Sequence, residues 1–101
     1  MNSVTASIAA QNTFTDALDL VGHFNLSLSG TWAGTVTVQR SFDGGSSWVD
    51  VDTFTSNIET YGFDPMQVLY RAGIKTGEYT SGTAVVTLYE DDETSRSIRL
   101  A

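Results

Sequence analysis

Apolar and polar residues alternate along most of this chain, and that alternation defines its elements. Residues 23–29 send Phe24, Leu26 and Leu28 one way and Asn25, Ser27 and Ser29 the other. This is the period of a half-buried strand. Residues 67–75 place Val68, Tyr70, Ala72 and Ile74 on one face and Leu69, Arg71 and Gly73 on the other. Residues 83–90 set Ala84, Val86 and Leu88 against Val85, Thr87 and Tyr89. Two apolar faces predict a central strand, or one covered by a partner. Residues 3–9 alternate with small side chains, Val4, Ala6 and Ile8, and read as a short edge strand. Residues 13–20 follow, with Phe14, Leu18 and Leu20 as their apolar set. The pattern from 52 to 61 is ambiguous between one strand and two short ones. Gly62-Phe63-Asp64-Pro65 breaks it, residues 30–34 read as a turn holding Trp32, and residues 76–82 as a loop holding Tyr79. No stretch of 11 or more residues keeps a helical period.

The clearest unit is residues 34–51, which read as one β-hairpin. Thr35, Val36, Thr37, Val38 and Gln39 suit a strand, and Trp48, Val49, Asp50 and Val51 return along it. Asp43-Gly44-Gly45-Ser46 between them is turn chemistry. The glycines allow positive φ, and the Asp carboxylate reaches nearby backbone N–H groups.

Six to eight short strands at regular spacing predict an all-β, single-domain antiparallel β-sandwich, jelly-roll or immunoglobulin-like. The domain spans residues 1–101, with 1–12 as an extended arm or edge strand and 91–101 as a polar tail in which 97–100 could add an edge strand. Composition agrees. Of 101 residues, 41% are hydrophobic and 11% aromatic, which is globular. Only 17% are charged, and 14 Thr and 11 Ser take their place, as suits strands and turns.

Charge and chemistry then narrow the function. The net charge is −7, and no basic residue precedes Arg40. Nothing offers a row of Lys and Arg to phosphates, so nucleic acid is not an expected partner. An anionic membrane surface is disfavoured for the same reason, and no apolar run is long enough to span one. The first ten residues lack a basic region ahead of a long apolar core, so no secretory signal is expected. With no cysteine and His23 alone, the chain offers neither a zinc site nor a nucleophilic triad. No cofactor and no metal are expected, and the chain reads as a non-enzyme. Glu90-Asp91-Asp92-Glu93 lacks the spacing of a calcium loop and reads as a solvated acidic turn. Arg40 and Arg71 are expected to pair across a sheet with Asp50, Asp52 or Glu90.

Residues 41–48, Ser-Phe-Asp-Gly-Gly-Ser-Ser-Trp, resemble the Asp-box of sialidase-type propeller blades, Ser-x-Asp-x-Gly-x-Thr/Ser-Trp. The resemblance implies a structural role for Ser41, Asp43, Gly45 and Trp48. Asp43 accepts backbone N–H bonds across the turn, Gly45 takes the left-handed conformation, and Trp48 packs across the hairpin. One copy in 101 residues is too few for a propeller. A wider resemblance covers residues 24–88, through FNLSLSGTWAGTVTVQRSFDGGSSW and LYRAGIKTGEYTSGTAVVTL. These runs resemble a family of small β-rich virion proteins of tailed bacteriophages, of head-decoration, head-fibre or tail-accessory type. That resemblance implies a capsid decoration protein on the outer surface of the head, made in the host cytoplasm. Its expected partners are the major capsid protein or other virion proteins, with self-association into a homo-oligomer. Val4, Ala6, Ile8, Trp32 and Tyr79 are the candidate partner contacts. The rival reading is a carbohydrate-binding or tail-fibre accessory module, with Trp32, Tyr79 and Trp48 as stacking platforms.

Overall fold

Two strands of 17 residues each, β3 and β6, carry the architecture. The computed structural model describes residues 3–90. In chain order the strands are β1 (Ser3–Ile8), β2 (Thr13–Phe14), β3 (Leu18–Gly34), β4 (Val36–Ser41), β5 (Val49–Phe54), β6 (Ile58–Ile74) and β7 (Tyr79–Glu90). They form one antiparallel sheet in the order β1-β7-β3-β6-β4-β5, with β2 beside β6. The protein is all-β, as its alternation predicts.

Both long strands change neighbours midway. Residues 24–28 of β3 lie between residues 58–62 of β6 and the end of β7. Residues 69–73 of β6 lie beside β4, and the start of β3 and β2 flank that part of β6 on its other side. The switch falls where the register slips. Leu20 pairs with Val68, but Gly22 pairs with Asp64, so Val21 faces three residues of β6. Such a mismatch bends both strands and increases the local twist. The sheet therefore folds over on itself. Ile8, Leu26, Leu28, Val86 and Leu88 from one half share a single core with Val36, Val38, Tyr70, Ala72 and Ile74 from the other. Phe24 fits this core because its strand partner is a glycine. A Cβ on Gly62 would stand 2.6 Å from the Phe24 ring, which instead lies over bare backbone and 4.6 Å from the Tyr70 ring.

The bend is pinned by a buried charge. Pro65 cannot donate to a ladder and is tolerated at an irregularity. Asp64, just before it, is 1% exposed. Its Oδ1 accepts the N–H of Met66 at 3.3 Å, and its Oδ2 accepts the Tyr70 hydroxyl at 2.9 Å and Arg40 Nη1 at 3.0 Å. Burial, and then the bond to Asp64, raise the pKa of Tyr70, so its proton stays in place. One carboxylate thus ties the bend of β6 to β4 and to the core.

Several boundaries differ from the sequence reading. The break expected at residues 62–65 lies inside β6, because Asp64 supplies acceptors where Pro65 interrupts the ladder. The turn expected at 30–34 lies inside β3, where Trp32 pairs with Gly82 of β7. The strands are not all short. The sandwich-like fold is built from one sheet continued round the bend by β3 and β6, where a jelly-roll or immunoglobulin fold has two separate sheets. The tail at 91–101 and the acidic residues 91–93 lie outside the described residues.

The bend predicts a measurable cost. Asp64→Ala leaves the Tyr70 hydroxyl and part of the Arg40 charge unpaired. It should lower unfolding free energy by about 3 kcal/mol, the lower end for a broken buried pair because Arg40 is partly exposed. Urea denaturation followed by circular dichroism checks this, and an unmoved midpoint would refute the role given to Asp64.

Candidate functional site

The hairpin tip is a closed ring of hydrogen bonds. Ser41 ends β4 and is buried. Its hydroxyl donates to Asp43 Oδ1 at 2.7 Å and accepts the Gly45 N–H at 2.8 Å. Asp43 Oδ1 also accepts the Ser47 N–H at 2.9 Å, and Oδ2 accepts the Ser47 hydroxyl at 2.6 Å. Gly45 sits at φ +98°, where an L side chain is strained. The Ser47 hydroxyl first, then its N–H and the Ser41 hydroxyl, hold the Asp43 carboxyl at about 2. These oxygens are occupied in shaping the turn, so the tip is a rigid corner.

Trp48 fastens that corner to the sheet. The Arg71 guanidinium lies between two rings, 4.3 Å from the Trp48 centroid and 4.1 Å from that of Phe14. Burial lowers the pKa of Arg71. Arg71 Nε donates to Gln39 Oε1 at 2.9 Å, and Gln39 Nε2 donates to Asp50 Oδ1 at 2.8 Å. Lys75 Nζ completes the chain on Asp50 Oδ2 at 2.7 Å. Lys75, then Gln39, lower the pKa of Asp50. The expected arginine pairings are therefore corrected. Arg40 pairs with Asp64, Arg71 stacks between rings and bonds an amide, and Asp50 takes Lys75. Sequence spacing alone does not reveal that the bend brings Asp64 beneath Arg40.

The N-terminal candidates lie in β1, the outermost strand beside β7. Val4 and Ala6 are half-buried against the core, and Ile8 is fully buried within it. Their side chains face the protein's own interior. What β1 presents outward is its backbone edge, together with Ser3, Thr5 and Ser7.

The aromatic candidates do not form a row. Trp32 is half-buried within β3, not exposed in a loop, and its Nε1 donates to Asn57 Oδ1 at 2.8 Å. Tyr79 begins β7, packs against the core, and donates its hydroxyl to the Gly82 carbonyl at 3.0 Å. Trp48 is committed to Arg71. The exposed aromatics are Phe42 at the hairpin tip, 56% exposed with the Arg40 guanidinium 4.8 Å from its ring, and Tyr61 and Phe63 of β6, 77% and 57% exposed. The exposed His23 ring stands 4.8 Å from Phe63 on the neighbouring strand. Period two in Glu59, Tyr61 and Phe63 was the signal for them, hidden by the adjacent Gly62 and Pro65. Among the described residues, no three His, Cys, Asp or Glu side chains are grouped to hold a metal ion.

No family model, curated protein or solved structure matches this chain.

Two outcomes test the hairpin. The folded pKa of Asp43 lies below its ordinary value, so its contribution is complete above about pH 4 and is lost as pH falls through about 2. Acid unfolding of Asp43→Asn should lack that component, and a carboxyl titration by NMR should place Asp43 near 2. Trp48→Ala should cost about 2 kcal/mol, less than a fully buried Trp because the ring is half-exposed. Part of that loss should vanish when Arg71 is already replaced, as a double-mutant cycle would show.

Proposed function

We propose that this protein is a non-enzymatic structural component of a tailed-phage virion, in first place a decoration protein that cements the outer surface of the head. The observation that carries the reading is the outer edge of β1. It is six residues long, keeps an unbroken register with β7, and contains no charge and no proline. Edges of soluble proteins are usually blunted by such residues or by bulges. Among the described residues no strand pairs with this edge, and an edge of that kind offers a row of N–H and C=O groups to an extended partner. Strand addition binds through main chain, whatever the side chains. The virion itself enters this reading through the resemblance of the runs in residues 24–88 alone.

The mechanism is contact without chemistry. A rigid sandwich presents β1 to a neighbouring copy or to the capsid protein, and many copies on a symmetric shell multiply weak contacts by avidity. A second copy fits β1 well, because two uncharged edges meet without repulsion. The opposite edge, β5, carries Asp52, which meets no base among the described residues, and would repel its own kind.

A second reading rests on Tyr61 and Phe63. Exposed rings on a flat sheet face are stacking platforms for sugars, so a carbohydrate-binding module is the runner-up. It moves the platform from Trp32, Tyr79 and Trp48 to the outer face of β6.

Ser3→Lys with Ser7→Lys tests the first reading, since both side chains are exposed and outside the core. The variant should melt as the parent does, yet lose self-association in analytical ultracentrifugation and fail to decorate purified particles in electron microscopy. Unchanged association would remove β1 from the interface. Retention on insoluble polysaccharide, lost in Tyr61→Ala, would favour the second reading.

A further inference from the structure

The side of the sandwich opposite β1 is open. There β5 pairs with β4 alone, and residues 58–62 of β6 pair with β3 alone among the described residues. Between them lies a slot of about 110 Å³ that reaches into the core. Phe24, Leu26, Val38 and Phe54 line it from the core, with Thr60 beside them. A dry cavity of roughly 150 Å³ accepts a benzene ring, so this slot suits a single aliphatic side chain. Val49 and Val51 on β5 are 52% and 44% exposed, an unusual load of apolar surface for a strand edge.

Charge says what kind of chain would fill it. The three basic side chains of the described residues are all engaged: Arg40 by Asp64, Lys75 by Asp50, and Arg71 by two rings and Gln39. Asp52 lines the slot, and its carboxylate accepts the neighbouring Thr53 N–H at 2.9 Å. Among the described residues no base pairs with it, so it meets this opening as an acid beside apolar side chains. A second copy's β5 would bring Asp52 against its own kind, which disfavours β5 of another copy as the occupant.

We propose that this slot is a docking site for an extended segment of a basic partner protein. The segment adds along the outer edge of β5, sets one aliphatic side chain over Leu26, Val38 and Phe54, and brings a neighbouring Lys or Arg to Asp52. Backbone bonding gives the strand its place, the slot selects one small apolar side chain, and Asp52 selects the charge. This surface is separate from β1 and stands whether or not β1 meets a virion partner.

Calorimetric titration of the full chain with two capped hexapeptides tests it, one alternating Lys with Val and one alternating Glu with Val. The Lys peptide should saturate, and the Glu peptide should bind at least about tenfold more weakly, a gap of about 1.4 kcal/mol. Asp52→Asn, at an exposed position that keeps the fold, should weaken the Lys peptide about threefold to tenfold. Thr60→Trp, which fills the slot, should abolish binding of that peptide while Ser3→Lys leaves it unchanged. Absence of binding by the Lys peptide up to about 1 mM would overturn the proposal. Equal affinity for both peptides, or binding indifferent to Asp52→Asn and Thr60→Trp, would overturn it as well.

Discussion

One buried carboxylate makes the rest of this structure possible. A seven-stranded sheet of this length would lie open if β3 and β6 ran straight. It closes because β6 turns at Asp64-Pro65 while β3 slips register opposite. Proline gives the turn its stiffness and interrupts the ladder, which leaves the Met66 N–H beyond it without a strand partner. Asp64 accepts that N–H and draws Arg40 and Tyr70 to its other oxygen. The attraction survives burial because every lone pair in use faces a donor. Tyr70 then carries the constraint inward, where its ring meets Phe24.

The hairpin depends on a different balance. Asp43, Ser41 and Ser47 shape the tip, yet a tip alone would swing on its two strands. Arg71 stops it by offering a flat cation to rings from both sides. A guanidinium tolerates this position because it is weakly hydrated and planar, which a lysine is not. Gln39, Asp50 and Lys75 extend the restraint across β4, β5 and β6. Polar side chains thus hold one outer face of the sheet while apolar ones hold the other.

Much of the fold was legible because period two survives in Phe24-Leu28, Val68-Ile74 and Ala84-Leu88, whose inward residues form the core. The turn at Asp43-Gly44-Gly45 was equally open to reading, since positive φ and a short acid leave few alternatives. The length of β3 and β6 was hidden. Gly30, Gly62 and Pro65 look like punctuation, but each lies within a strand, where a close neighbour or a bend gives it a place. The site was harder still. Val4, Ala6 and Ile8 mark a strand from sequence, but only the sheet order reveals that their side chains serve the interior. Trp32 and Tyr79 look free until Asn57 and the Gly82 carbonyl are seen beside them. Long-range partners of this kind leave no trace in local pattern.

The sheet order also fixes when this surface comes into being. β1 is the earliest of the described strands, yet among them it pairs only with β7, Ser3 standing opposite Tyr89. Its ladder closes a loop of nearly the whole described chain, a contact that forms late because loop closure must precede it. During synthesis β1 has no strand partner among the described residues until β7 has left the ribosome. A chain cut before β7 never completes this edge. An assembly that recognises the finished edge would therefore admit only chains in which β7 has been made and has folded into place.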